Sequence, residues 1–296
     1  MLDAAWVDDF LSKEKLPPRF RLLLGSVHAP VAQRIAHAAH ELGRPIVVGL
    51  CGSQGSGKST MAAVLKALLE RQELPTAVLS IDDLYLTRAE RHALGQSVHP
   101  LFRTRGVPGT HDVPLGMATL DGLMQGQGPV PIPAFDKQHD DRRPTADWPA
   151  VPAPVRIVIL EGWFVGARPE PSESLVAALN PLERDEDATG HWRAHVNEAL
   201  RGPYHELFAR IDLQVLLRAP SFDVVYAWRL EQEHKLRARV TAEGGDLSRV
   251  MDDAGVARFI QHYERITRNI LAEMPARADI VVELDASRVP VRLLGV

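Results

Sequence analysis

Residues 52–59 read Gly52-Ser53-Gln54-Gly55-Ser56-Gly57-Lys58-Ser59, a full match to G-x-x-x-x-G-K-[ST]. Glycines let the backbone curl close to a polyphosphate, successive N–H groups form an anion nest, a lysine reaches the β- and γ-phosphates, and a serine hydroxyl can ligate magnesium. The flanking pattern suits the match. Ile46-Val47-Val48-Gly49-Leu50-Cys51 reads as a buried parallel strand, and Met61, Ala62, Val64, Leu65, Leu68 and Leu69 follow helical spacing. Strand, glycine loop and helix therefore occur in the order a nucleotide-binding loop requires, and residues 52–60, Thr60 included, are the expected contacts of ATP.

Outward from the loop, the apolar runs Thr76–Ile81, Val155–Leu160, Ile211–Leu217 and Ile280–Leu284 read as further strands. Amphipathic helices separate them. Thr87 to Glu90 has the form of a capping box that opens a short helix, residues 115–124 read as helix, and His191 to Phe208 as a helix interrupted at Gly202-Pro203. Phe222 to Ala242 and the stripe Val256, Phe259, Ile260, Tyr263, Ile266, Ile270 mark two more. Strands alternating with helices predict an α/β fold of the P-loop NTPase type, a parallel sheet wrapped by helices with its site at the carboxyl ends of the strands. Residues 1–43 are helical by pattern and form an N-terminal extension, leaving 44–296 as the main domain with no linker or internal repeat. His28, His37 and His40 in that extension read as surface or packing residues. The proline-rich stretch 126–154 reads as extended surface chain, and 170–190 as a polar excursion.

A net charge of -4 over 296 residues offers no electrostatic case for nucleic acid or a membrane surface, so anion handling is local to a site. No apolar run is long enough to span a membrane. The single cysteine, Cys51, has no intramolecular partner and fits a reducing cytoplasm, and the acidic N-terminus shows no export signal. Monomer and small homo-oligomer are both open.

Phosphoryl transfer needs a phosphate cradle, a metal, a base for the acceptor hydroxyl and cations over the transferring group. Asp82 ends the strand after the phosphate loop, where a carboxylate can accept a proton from an alcohol; Asp83 beside it is the weaker candidate for that role. Glu161 ends the Val155–Leu160 strand and, with Ser59, is the expected Mg2+ holder. The charged helix after Ser221 is either a solvated face or a lid, from which Arg229, with Lys235 or Arg237, closes on the phosphates beside Lys58.

Four runs carry a family resemblance: Leu79-Ser80-Ile81-Asp82-Asp83-Leu84-Tyr85, Arg105-Gly106-Val107-Pro108-Gly109-Thr110-His111-Asp112, Pro133-Ala134-Phe135-Asp136-Lys137, and Leu160-Glu161-Gly162-Trp163-Phe164. Over residues 46 to 288 the chain resembles the plant-type D-glycerate 3-kinases, neighbours of uridine kinase, phosphoribulokinase and pantothenate kinase. The resemblance implies ATP and Mg2+ as cofactors, Asp82 as base, Glu161 near magnesium, and Arg105, His111, Asp112 and Asp136 around the acceptor, with Asp83 and Tyr85 in the same motif. Leu84 and Phe135 depart from the Phe and Tyr common in related kinases. Glycerate is a small hydroxy acid whose carboxylate calls for a guanidinium, which Arg103, Arg105, Arg142 or Arg143 can supply. Two other readings stand beside it: a uridine- or pantothenate-type kinase with a different alcohol acceptor, and a nucleotide-driven ATPase switch.

Overall fold

The computed structural model describes residues 3–18, 20–247 and 250–296. Residues 4–42 are mostly helical: α1 (Ala4–Lys13), α2 (Phe20–Leu23) and α3 (Ala29–Leu42), with a wide π-type turn over Leu24–His28. Strand β1 (Ile46–Gly52) leads through the phosphate loop into α4 (Lys58–Glu70) and on to β2 (Thr76–Ser80). The long connection that follows holds α5 (Arg88–Ser97), α6 (Val113–Gln125) and four short strands, β3 (Gly128–Pro131), β4 (Phe135–Asp136), β5 (Asp141–Arg142) and β6 (Ala150–Ala153). Then come β7 (Ile157–Gly162), α7 (Pro181–Glu186), α8 (His191–Arg201), α9 (Pro203–Phe208) and β8 (Leu213–Arg218). The chain closes with α10 (Phe222–Ala242), α11 (Asp253–Glu273), β9 (Ile280–Leu284) and β10 (Pro290–Leu294).

Six strands form one sheet in the order β10-β9-β8-β1-β7-β2, parallel throughout except for β10, which runs antiparallel along β9. Every residue of β1 and of β7 is buried, as the Val/Ile/Leu-rich runs require of strands covered on both faces. Helices α3 and α4 pack on each other and on β1, while α6 packs on β7. The fold class expected from the sequence is thus present, with one antiparallel edge strand added. That edge begins with a proline and is largely exposed, features that a parallel core strand does not tolerate.

Two stretches differ in detail from their sequence reading. Residues 126–154 fold into nested antiparallel pairs, β3 with β6 and β4 with β5. The excursion 170–190 is tied down by buried charge: Arg265 pairs with Glu183 at 2.7 Å, and Arg193 with Asp187 at 2.9 Å. Helix 191–208 breaks at Gly202, as expected. In the N-terminal segment His28 is buried with Nδ1 2.8 Å from the Leu23 carbonyl, and His37 lies on the surface beside Glu41. Among the described residues, no helix is long and apolar enough to cross a membrane.

Candidate active site

The strand order decides which side chains meet. β7 lies between β1 and β2, in register so that Leu50 and Ser80 both face Glu161. The phosphate loop leaving β1, Glu161 ending β7 and Asp82 just past β2 therefore open into one crevice at the carboxyl ends of three adjacent strands.

The loop between β1 and α4 is held by a Ser56 N–H to Ser53 carbonyl bond of 3.1 Å, and Gly55 and Gly57 take positive φ of 80° and 91°. Ser53 Oγ, Gln54 Oε1 and Ser56 Oγ are buried without a partner among the described residues, an arrangement suited to a ligand that completes them. Lys58 opens α4 and makes no ion pair among the described residues. Thr60 lines a groove beside the loop, about 580 Å³ in volume, whose other walls include Phe20, Leu23, Met61 and Arg288. Cys51 below the loop is free and buried, and burial pushes its thiol up to about 12.

Ser59 Oγ donates to Glu161 Oε1 at 3.3 Å, while Glu161 Oε2 is buried with no partner among the described residues. Burial pushes the Glu161 pKa up, and Lys58 opposes the shift. A hydroxyl and an under-satisfied carboxylate beside a phosphate cradle fit a Mg2+ ion whose remaining ligands are phosphate and water oxygens. Among the described residues no group of three or more His, Cys, Asp or Glu is placed to hold a metal by itself.

Asp82 and Asp83 sit in a 3-10 turn, Ile81–Leu84, that sends them to different partners. Asp82 Oδ1 accepts from the Tyr85 hydroxyl at 3.0 Å and Oδ2 from Lys137 Nζ at 2.7 Å. Burial would raise its pKa, but the charges of Lys137 and Lys58 prevail and bring it down to about 2. Asp83 instead accepts the Phe135 N–H at 3.0 Å, holding β4 against the turn, and burial pushes its pKa up.

His111 stacks on Tyr85 with ring centroids 4.4 Å apart. Its Nδ1 lies 2.7 Å from the Tyr204 hydroxyl, which also accepts the Gly109 N–H at 3.0 Å. The other ring nitrogen of His111, Nε2, is buried and without a partner among the described residues. Burial lowers the His111 pKa to about 3.

The other expected acceptor residues are engaged with protein groups. Asp112 caps α6 through the Leu115 N–H at 3.0 Å and pairs with Arg142 at 3.2 Å. Arg142 also donates to the Tyr85 carbonyl through Nε and Nη2, so its guanidinium ties β5 to the Asp82 turn. Arg105 pairs with Asp140 and lies over the Phe135 ring, 5.5 Å from its centroid. Asp136 closes the β4–β5 turn through the Gln138 and His139 N–H groups, and His139 brings its pKa down to about 2.

Helix α10 rests on the phosphate loop through Trp228, whose Nε1 donates to the Ala286 carbonyl at 2.7 Å. Arg229, one residue on, pairs with buried Glu233 at 2.6 Å and covers the Phe259 ring. Lys235 pairs with Glu231, and Arg237 donates to the Met251 carbonyl. Arg288, unnoticed in the sequence, donates through Nε to the Gly55 carbonyl at 2.9 Å, stacks on Trp228 and pairs with Glu231 at 2.5 Å. It lies 233 residues from Gly55, so no local pattern could reveal it. Tyr204 was missed for the same reason. Lys137 ends the Pro133–Lys137 run, where nothing local marks it as the partner of Asp82, 55 residues away.

Comparison with known proteins places this geometry in context. The model of the phosphoribulokinase/uridine kinase family matches residues 47–182, which hold the phosphate loop, Asp82, the Arg105–Asp112 loop and Glu161. The uncharacterized kinase mug58 of Schizosaccharomyces pombe is 37% identical over 230 residues, covering 75% of this chain and 79% of that one. The chloroplastic D-glycerate 3-kinase of Arabidopsis thaliana is 29% identical over 261 residues, 83% of this chain and 54% of the plant protein. A solved D-glycerate 3-kinase from Cryptococcus neoformans var. grubii matches with a TM-score of 0.71 and 26% identity, over 91% of this chain and 99% of that one.

Proposed function

We propose, for a chain that belongs to the phosphoribulokinase/uridine kinase family and is therefore a phosphotransferase, that ATP is the donor and the 3-hydroxyl of D-glycerate the acceptor. The observation that carries the reading is the convergence of phosphate loop, Ser59–Glu161 pair and Asp82 at three neighbouring strand ends. Support for glycerate comes from the Arg105–Asp112 loop and from the two similar D-glycerate 3-kinases.

In this mechanism the backbone of residues 52–60 cradles the ATP phosphates, and the nucleoside end occupies the groove past Thr60. Lys58 and Arg229 spread positive charge over the transferring phosphoryl group. Ser59 and Glu161 would hold Mg2+, which when bound would supply positive charge to the ATP phosphates. Arg105 exchanges Asp140 for the acceptor carboxylate, His111 Nε2 hydrogen-bonds the acceptor hydroxyl, and Tyr85 holds Asp82 in place. Asp83, Asp112, Asp136 and Arg142 shape the pocket from behind through the bonds described above. The 3-hydroxyl oxygen then bonds to Pγ as the bridge from Pγ to the β-phosphate oxygen breaks. Its proton passes to Asp82, and ADP leaves with the bonding pair. Residues 1–43 act as an extension packed on a kinase domain of 44–296, in a cytoplasmic protein that is a monomer or small homo-oligomer. Neither nucleic acid nor a membrane is part of this reading.

One screen tests it: ATP consumption with Mg2+ and glycerate, uridine, pantothenate or ribulose 5-phosphate, against ATP alone. Turnover with glycerate is expected. Turnover of ATP that needs no alcohol overturns the kinase reading in favour of an ATPase.

A further inference from the structure

The carboxylate read as the base is covered by a cation. Lys137 Nζ sits 2.7 Å from Asp82 Oδ2, and the other oxygen is taken by the Tyr85 hydroxyl. The lysine side chain is 59% exposed against 25% for Asp82. Its backbone is not loose: it lies in the β4–β5 turn, which Asp136 closes from one side, while β4 is fastened to the Asp82 turn by Asp83. The result is a fixed hairpin with a long, flexible ammonium at its tip.

The ammonium end of the pair faces solvent, so a second carboxylate can reach it and replace the charge partner it gives up. Each carboxylate oxygen keeps a second lone pair, but with Lys137 on Oδ2 and Tyr85 on Oδ1 the ionised form of Asp82 is stabilised and the group is a weaker acceptor for a hydroxyl proton. Drawing the lysine away strengthens the base, and an anionic acceptor carries a group that does so.

We propose that Lys137 senses the acceptor's carboxylate: it masks Asp82 in the free enzyme and transfers to the incoming hydroxy acid, uncovering Oδ2 for the acceptor hydroxyl. The proposal rests on Asp82 as base and a hydroxy acid as acceptor. Lys137 keeps its proton throughout, and the hydroxyl proton still ends on Asp82. Specificity for anionic alcohols over neutral ones follows, because a neutral alcohol cannot pay for the displacement.

The groups facing Asp82 are Lys137 from the hairpin, Lys58 from the phosphate loop, Glu161 from β7, His111 and Tyr85 from the acceptor loops, Asp83 beside it and Tyr263 from α11. With Lys137 gone, Lys58 remains as the main opposing charge, and the carboxylates and burial both act to raise the Asp82 pKa.

The test compares wild type with Lys137→Met and Lys137→Arg on glycerate and on its neutral analogue glycerol, with ATP saturating and pH varied. In Lys137→Met the KM for glycerate rises about tenfold or more, the glycerate-to-glycerol ratio of kcat/KM falls by a similar factor, and the acid limb of kcat/KM moves to higher pH. Lys137→Arg restores the preference for glycerate. An unchanged glycerate KM, or equal losses on both acceptors, overturns the role of Lys137 while wild-type turnover of glycerate keeps the kinase reading intact. If the wild type prefers another carboxylate alcohol such as pantothenate, the glycerate reading falls and the same KM comparison on that acceptor decides Lys137. Wild-type turnover of uridine alone overturns both.

Discussion

Gly55→Ala tests how tightly the phosphate loop is wedged against α10, with Gly57→Ala as its internal reference. Gly55 takes φ of 80°, and a Cβ there would stand 2.8 Å from the Trp228 Cβ. Trp228 cannot easily yield, being buried, bonded to the Ala286 carbonyl and covered by Arg288. Gly57 takes φ of 91°, but a Cβ there meets nothing within 4 Å. The left-handed backbone costs an alanine about 1–2 kcal/mol at either position. Overpacking against a fixed neighbour adds about 1–3 kcal/mol at Gly55 only. Gly55→Ala is therefore expected to destabilise by about 2–5 kcal/mol and Gly57→Ala by about 1–2 kcal/mol. Urea unfolding followed by tryptophan fluorescence measures both, and Trp228 itself reports on the contact. Equal destabilisation by the two substitutions would refute the reasoning, because it would mean that the loop–helix contact carries no strain.

Lys58→Ala is expected to abolish transfer in a protein that stays folded, since Lys58 opens α4 and makes no ion pair among the described residues; full activity in the folded variant removes Lys58 from the mechanism. Asp82→Asn keeps size and removes proton acceptance, so turnover falls on the order of 10² to 10⁴-fold with ATP binding retained, and a larger loss in Asp83→Asn would move the base by one residue. Arg105→Met removes a charge-assisted pair, raising the glycerate KM by the equivalent of about 2 kcal/mol with ATP affinity held; an unchanged KM assigns Arg105 wholly to Asp140. Stability falls on acidification through buried histidines: burial lowers the His262 pKa to about 4 and that of His111 to about 3, both below the unfolded value of 6.5. Below pH 6.5 the unfolded chain binds protons that the folded chain refuses, so stability is full above that pH and declines toward pH 4 and pH 3. Urea midpoints at pH 7 and 4.5 should converge in His262→Phe relative to wild type, and an identical pH slope would remove His262 from the account.

What the chain states openly is what depends on near neighbours. The glycine loop and its lysine are legible because a phosphate nest needs particular backbone freedoms at consecutive positions. The Thr87–Glu90 capping box, the break at Gly202-Pro203 and the helix over Phe222–Ala242 are legible for the same reason: capping, missing N–H groups and helical propensity act within a few residues. The short pairs β3–β6 and β4–β5 escaped reading, because a two-residue strand such as Phe135–Asp136 has too few residues to show alternation.

Asp82 and Asp83 show the limit well. As adjacent carboxylates at a strand end they are chemically alike in the sequence, and only the Ile81–Leu84 turn sends one to Lys137 and Tyr85 and the other to the Phe135 amide. The sequence by itself determined a phosphate loop, an alternating α/β fold and the acids at strand ends. Tertiary structure alone decided that β7 lies between β1 and β2, that Arg288 clasps Gly55 from the far end of the chain, that Tyr204 orients His111, and that Lys137 covers Asp82. The physical reason is range: backbone preferences and caps act over a turn or two, whereas strand order and side-chain pairing follow from burying every apolar face at once, a condition on the whole chain that no local stretch records.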